Sequence, residues 1–104
     1  MKTNQQGFRE LIKKNDKPLV VMFSATWCGP CKMFAPVFEK AGVELGSKYN
    51  LAKIDVDECP DLSSEYDVVT VPTLFVIRDG KVIGKKSGAY PTVALLDKWI
   101  ESVL

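Results

Sequence analysis

This chain predicts an α/β sandwich with a mixed sheet, and three patterns lead there. Leu19-Val20-Val21-Met22-Phe23 and Leu51-Ala52-Lys53-Ile54-Asp55-Val56 read as strands on either side of a stretch of helical period. Strand, helix, strand over that length is a right-handed βαβ unit, whose strands run parallel. Further on, the dipeptide Asp79-Gly80 separates Thr73-Leu74-Phe75-Val76-Ile77 from Lys81-Val82-Ile83. That is a hairpin signal, so this pair is antiparallel.

The elements follow in order. Phe8, Leu11 and Ile12 make a short amphipathic helix, closed by Asn15 before Asp16-Lys17-Pro18. Leu19–Phe23 is apolar throughout, as a strand covered on both faces would be. The next helix runs from about Cys28 to Leu45, with Met33, Phe34, Val37, Phe38, Ala41 and Leu45 on its apolar side. Pro36 falls inside it, depriving the Lys32 carbonyl of its donor and bending the axis. The second strand, Leu51–Val56, precedes a short helix over Asp61–Tyr66, and the hairpin strands come next. A last helix turns Val93, Leu96, Ile100 and Val103 inward; Pro91 suits its first turn, and its exact start stays open. The order is α-β-α-β-α-β-β-α.

Composition narrows the function classes. With 104 residues the chain suits one domain, residues 1–104, with one core. A net charge of +1 points to neither a nucleic-acid nor an anionic-membrane partner. The longest apolar runs fall far short of the roughly 20 residues that span a bilayer. Met1–Gly7 lack the apolar stretch of a secretory signal, so the expected place is the cytoplasm, or an organelle matrix if a presequence has been removed. The 3 cysteines are too few, and odd in number, for a disulfide framework. With no histidine to join them, they are also a poor zinc set.

The chemistry gathers at Trp27-Cys28-Gly29-Pro30-Cys31-Lys32. The two cysteines fall where a strand turns into a helix. Unpaired N–H groups and the positive end of the helix dipole stabilise a thiolate there. The thiolate is the form that attacks disulfides. A second thiol one helical turn later closes a short disulfide ring and expels the product. The spacing therefore encodes a reversible two-electron switch.

Phe23 to Lys32 resembles the active-site segment of the thioredoxin family. Ala35-Pro36, Lys53 with Asp55-Val56-Asp57, Val71-Pro72-Thr73, Asp79-Gly80-Lys81 and Ser87-Gly88-Ala89 resemble further family motifs, in the right order. The resemblance implies a three-layer α/β/α sandwich around a mixed sheet of four to five strands. Since few residues precede Phe8, the family's first strand is expected to be shortened or absent. A second departure is Met22, which stands 6 residues before Cys28 where the family usually has a buried aspartate.

Further roles come with the resemblance. Cys28 is the expected nucleophile that forms a mixed disulfide with substrate, and Cys31 the deeper thiol that resolves it. Gly29 lets a substrate backbone approach, and Pro30 stiffens the ring, which favours a reductant over an oxidant. Trp27 either packs in the core or shapes the surface beside the site. The Val71–Pro72 bond is expected cis, against about 5% for X-Pro bonds in general. Trp27, Pro30, Val71, Pro72 and Gly88 together form the expected docking surface. Lys53, beside the missing carboxylate, is either a substitute base for Cys31 or a side chain that snorkels to water. Met22 is expected to slow resolution near neutral pH. Cys59 is either a packing or surface residue without function, or the site of a regulatory or intermolecular disulfide.

The activity so implied is protein disulfide reduction, by a monomer that binds no cofactor or metal. Electrons would come from NADPH through a thioredoxin reductase and pass to disulfide-containing client proteins. A binding scaffold with incidental cysteines, and an oxidase or isomerase on the same fold, are the alternatives.

Overall fold

The computed structural model describes residues 2–14 and 16–104, so the helix stop expected at Asn15 lies outside the described residues. Four strands form one sheet: β1 (Leu19–Ser24), β2 (Asn50–Asp55), β3 (Thr73–Arg78) and β4 (Lys81–Ser87), in the spatial order β2-β1-β3-β4. β1 pairs parallel with β2 and antiparallel with β3, and β3 pairs antiparallel with β4. The mixed sheet is therefore as the βαβ and hairpin signals require. The hairpin turns at Asp79 and Gly80, whose φ values of 54° and 75° suit Asp and Gly far better than bulkier residues. Its register shifts between Val76 and Ile77, a bulge, and β4 runs on past the Ile83 seen in the sequence to Ser87.

The helices are α1 (Gln5–Lys14), α2 (Gly29–Glu44), α3 (Pro60–Glu65) and α4 (Val93–Val103). All six residues of β1 are buried, and alternation splits the five apolar ones between two cores. Val20 and Met22 meet Phe34, Phe38 and Ala41 of α2 and Leu96 and Ile100 of α4. Leu19, Val21 and Phe23 meet Phe8 of α1 and Leu62 of α3. On that second face Tyr66 packs edge-on against Phe8 at 5.4 Å and Phe75 at 5.6 Å between ring centroids. Two helices on each face of one sheet give the three layers.

The expected first strand survives as one parallel bridge, Lys2 to Lys53, with the Thr3 N–H donating to the Lys53 carbonyl at 2.9 Å. Two expectations, on Met33 and Pro91, need correction. Met33 does not face the core: it is 81% exposed, because the inward stripe of α2 runs Cys31, Phe34, Phe38, Ala41 and Met33 falls off it. Pro91 lies outside α4, which is capped at Thr92 by its hydroxyl accepting the Leu95 N–H at 3.2 Å. Val93 and Val103 are half-buried flanks of a stripe centred on Leu96 and Ile100. Pro36 sits within α2 without ending it.

Candidate active site

The C-terminal end of β1 delivers the chain through Ala25–Trp27 to the first turn of α2. Cys28 is the N-cap: its backbone is extended (φ −91°, ψ 116°) and its Sγ accepts the Cys31 N–H at 3.2 Å. A cap of this kind satisfies one of the helix's orphan donors and stabilises negative charge on that sulfur. Pro30 follows in the first turn, where its missing N–H costs nothing. Cys28 and Cys31 are joined as a disulfide, with Cα atoms 5.2 Å apart. Both side chains are buried in this form, Cys31 at 3% exposure and Cys28 at 6%.

Cys28 faces the loop before β3. Its Sγ lies 3.6 Å from the Val71 carbonyl oxygen, within reach of a hydrogen bond once the sulfur carries a proton. The Val71–Pro72 bond is cis. The Pro72 carbonyl accepts the Gly88 N–H at 2.9 Å, which brings the end of β4 to the same edge. Gly88 has φ 105°, a value that side chains disfavour. A Cβ built at Gly29 or Gly88 meets nothing within 4 Å, so the backbone at both positions borders open space.

Trp27 belongs to the surface: it is 68% exposed, and its Nε1–H donates to Asp57 Oδ2 at 2.9 Å. Asp57 thereby orients the indole beside the cysteines. The structure thus gathers Trp27, Cys28, Gly29, Pro30 and Cys31 at the head of α2, with Val71 facing Cys28 and Pro72 and Gly88 adjoining Val71. Lys53 stands apart from that edge. It is half-buried, opposite Met22 in the β1–β2 register, and lines a cavity of about 250 Å³ that Cys31 also lines. Met22 is fully buried among apolar side chains. Cys59 is a buried free cysteine in the core under α1 and α3.

Sequence reasoning missed three participants. Asp57 signalled only a strand exit, because nothing in its spacing shows a bond to an indole 30 residues away. Asp55 could have been placed by period two, since it shares a face with Lys53. Lys2 also lines the cavity, and its ammonium is held by Glu58 at 2.8 Å. That hydrogen bond, followed by the Glu58 charge, raises the Lys2 pKa. Among the described residues no group of three or more His, Cys, Asp or Glu is placed to hold a metal. No helix among them is long and apolar enough to cross a membrane.

A cysteine pair bridged across the first turn of a helix, one sulfur capping that helix at an open edge, defines a dithiol–disulfide oxidoreductase. The thioredoxin family model matches residues 1–102. Thioredoxin of Bacillus subtilis is 48% identical over 95 residues, covering 91% of this chain and 89% of that protein. The mitochondrial thioredoxin-3 of Saccharomyces cerevisiae is 46% identical over 101 residues, covering 97% of this chain and 76% of that protein. A solved structure from work on the thiol-resolving mechanism of yeast mitochondrial 1-Cys peroxiredoxin superposes with a TM-score of 0.82. It is 42% identical, and the match covers 98% of this chain and 93% of that one. The chain belongs to the thioredoxin family.

Proposed function

We propose that this oxidoreductase works as a reductant of protein disulfides, with Cys28 attacking and Cys31 resolving. The observation that supports these roles is the asymmetry of the pair. Cys28 Sγ accepts the helix N-terminal N–H and faces the Val71 carbonyl at the open edge, whereas Cys31 lies a turn deeper and lines a separate cavity. A client disulfide approaching as extended chain meets Cys28 first. Attack forms a Cys28–client disulfide and expels the client's other sulfur. Cys31 then attacks Cys28 Sγ, the internal disulfide closes, and the client leaves as a dithiol.

Trp27, Pro30, Val71, Pro72 and Gly88 make the docking edge, the Val71 backbone offering hydrogen bonds to the client. With a net charge of +1, recognition rests on shape and backbone contacts more than on steering. Lys53 tunes the charge around Cys31. The chain acts as one domain, residues 1–104, and as a monomer without a bound cofactor. Its disulfide is returned to the dithiol by NADPH through a thioredoxin reductase, a partnership that family membership supports. It serves electron transport and redox homeostasis in a reducing compartment, the cytoplasm or a mitochondrial matrix.

Cys31→Ser tests the roles. It should accumulate a covalent adduct at Cys28 when mixed with an oxidised client, stable to gel filtration and released by dithiothreitol. An adduct found instead in Cys28→Ser would reverse the two roles.

A further inference from the structure

Resolution needs a thiolate, and a thiol mostly keeps its proton at neutral pH. Cys31 therefore needs an acceptor. Met22 cannot be one, being apolar and fully buried. Cys31 opens instead onto the cavity of about 250 Å³, walled also by Lys2, Ser24, Lys32, Lys53 and Asp55. That space has room for several waters at about 30 Å³ each. Among the described residues, Asp55 is the one acidic side chain on its wall.

The register explains why Asp55 is there. Met22 pairs with Lys53 and Ser24 with Asp55, so by period two all four share the sheet face under α2. Asp55 lies about 7 Å beyond Lys53 along the strand, at the end where the cysteines sit. Its Oδ1 accepts the N–H of Asp57 at 2.8 Å and of Glu58 at 3.3 Å, which fixes the carboxylate. Oδ2 has no hydrogen-bond partner among the described residues. No buried side-chain oxygen or nitrogen among them lacks a partner, so Oδ2 is within reach of water.

We propose that Asp55 accepts the Cys31 proton through cavity water while the mixed disulfide resolves. This rests on the reading of Cys31 as the resolving thiol. The proton passes from Cys31 Sγ to a water and from that water to Asp55 Oδ2. The Cys31 thiolate then attacks Cys28 Sγ. The Cys28–Cys31 bond forms, the Cys28–client bond breaks, and the client thiolate leaves with the electron pair. Asp55 returns its proton to solvent. The charged groups facing Asp55 are Lys2 from the N-terminal bridge, Lys32 from α2 and Lys53 from its own strand. Glu58 neutralises Lys2, and Asp57 is engaged by Trp27. Lys32 and Lys53 favour negative charge in the cavity and so hold the thiolate once it forms.

The test mixes reduced protein with an equimolar aromatic disulfide, dithiobis(nitrobenzoate), from pH 6 to 9.5. The first coloured thiolate reports attack by Cys28 and the second reports closure by Cys31. Asp55→Asn keeps an Oδ1 for the Asp57 and Glu58 N–H groups but has no basic carboxylate. Its first phase should match the native protein. Its second should be about tenfold slower or more at pH 7, with the gap closing above about pH 8.5 as the thiol ionises unaided. An unchanged second phase, or one slowed equally at every pH, overturns the proposal. Should circular dichroism show Asp55→Asn unfolded, Asp55→Ser is carried through the same series and judged the same way. Insulin reduction by the native protein is read alongside. Failure there with a normal second phase would sink the reductase reading and leave the Asp55 step standing.

Discussion

Replacing Met22 by aspartate should cost stability and speed resolution at once. Met22 is fully buried in the core under α2 and α4, between Lys53 of β2 and Leu74 of β3 in the sheet register. Removing its side chain forfeits about 1.5–3 kcal/mol of apolar burial. Placing a carboxyl group there without full hydrogen bonding adds about 1–3 kcal/mol. Lys53 stands opposite and can pair with the new group, which keeps the sum near 3–4 kcal/mol, inside the roughly 5–15 kcal/mol by which domains are stable. The sign with pH follows from full burial, which disfavours the ionised form more than the half-buried Lys53 favours it and so raises the folded-state pKa above the unfolded value near 3.9. The folded variant then binds the extra proton, so its deficit grows as pH climbs from about 4, by about 1.4 kcal/mol per unit of raising. Urea unfolding at pH 4, 6 and 8 measures it. A deficit below about 1 kcal/mol and flat with pH would refute the packing argument. The same variant should release the second thiolate faster near pH 7, and the gain should be larger when Asp55→Asn is also present. No gain in either background from pH 6 to 9 would remove Met22 from the account of resolution.

Other outcomes follow from single contacts. Trp27→Ala removes an exposed indole and its bond to Asp57, so stability should fall by less than about 1 kcal/mol while KM for a protein disulfide rises. Gly88→Ala meets no atom within 4 Å, so its cost is backbone strain at φ 105°, about 1–2 kcal/mol in chemical denaturation. Asp97 accepts hydrogen bonds from Lys48 at 2.9 Å and from the Tyr49 hydroxyl at 2.8 Å. Burial works against its charge, but these bonds outweigh it and hold its carboxyl below the usual range. A lowered folded-state pKa gives stability that is present above the unfolded value, about pH 4, and lost as pH falls from there through the folded-state pKa. Asp97→Asn should therefore be less stable than the native protein at pH 6, by about 1 kcal/mol, and the gap should shrink as the medium is made more acidic and the native carboxylate takes up its proton.

Much of this was legible in the residues. The apolar run of β1 and the Asp79-Gly80 turn fixed a mixed sheet, because strand burial and turn chemistry are local properties. Cys28 and Cys31 were legible for the same reason: the spacing itself puts them on one helical turn. Met33 was misplaced because Cys31, a polar-looking residue, begins the inward stripe of α2 and shifts its phase. The start of α4 stayed open because Pro91 also suits a first turn, and the Thr92 hydroxyl wins the cap. The bridge at Lys2 has no strand-like pattern, since one pair needs only a free N–H at the sheet edge. Asp55 and Asp57 were passed over because their partners, an indole and a cavity, exist only after the chain has closed.

The central claim is that the Cys28–Cys31 dithiol reduces protein disulfides. The most direct measurement is the rate at which reduced protein, recycled by dithiothreitol, precipitates insulin by cutting its interchain disulfides, with Cys28→Ser as the blank. The account predicts a rate well above dithiothreitol alone for the native chain and none above it for the variant. Equal rates for the two would contradict it and leave the chain a thioredoxin-fold scaffold whose cysteines do no reductive chemistry.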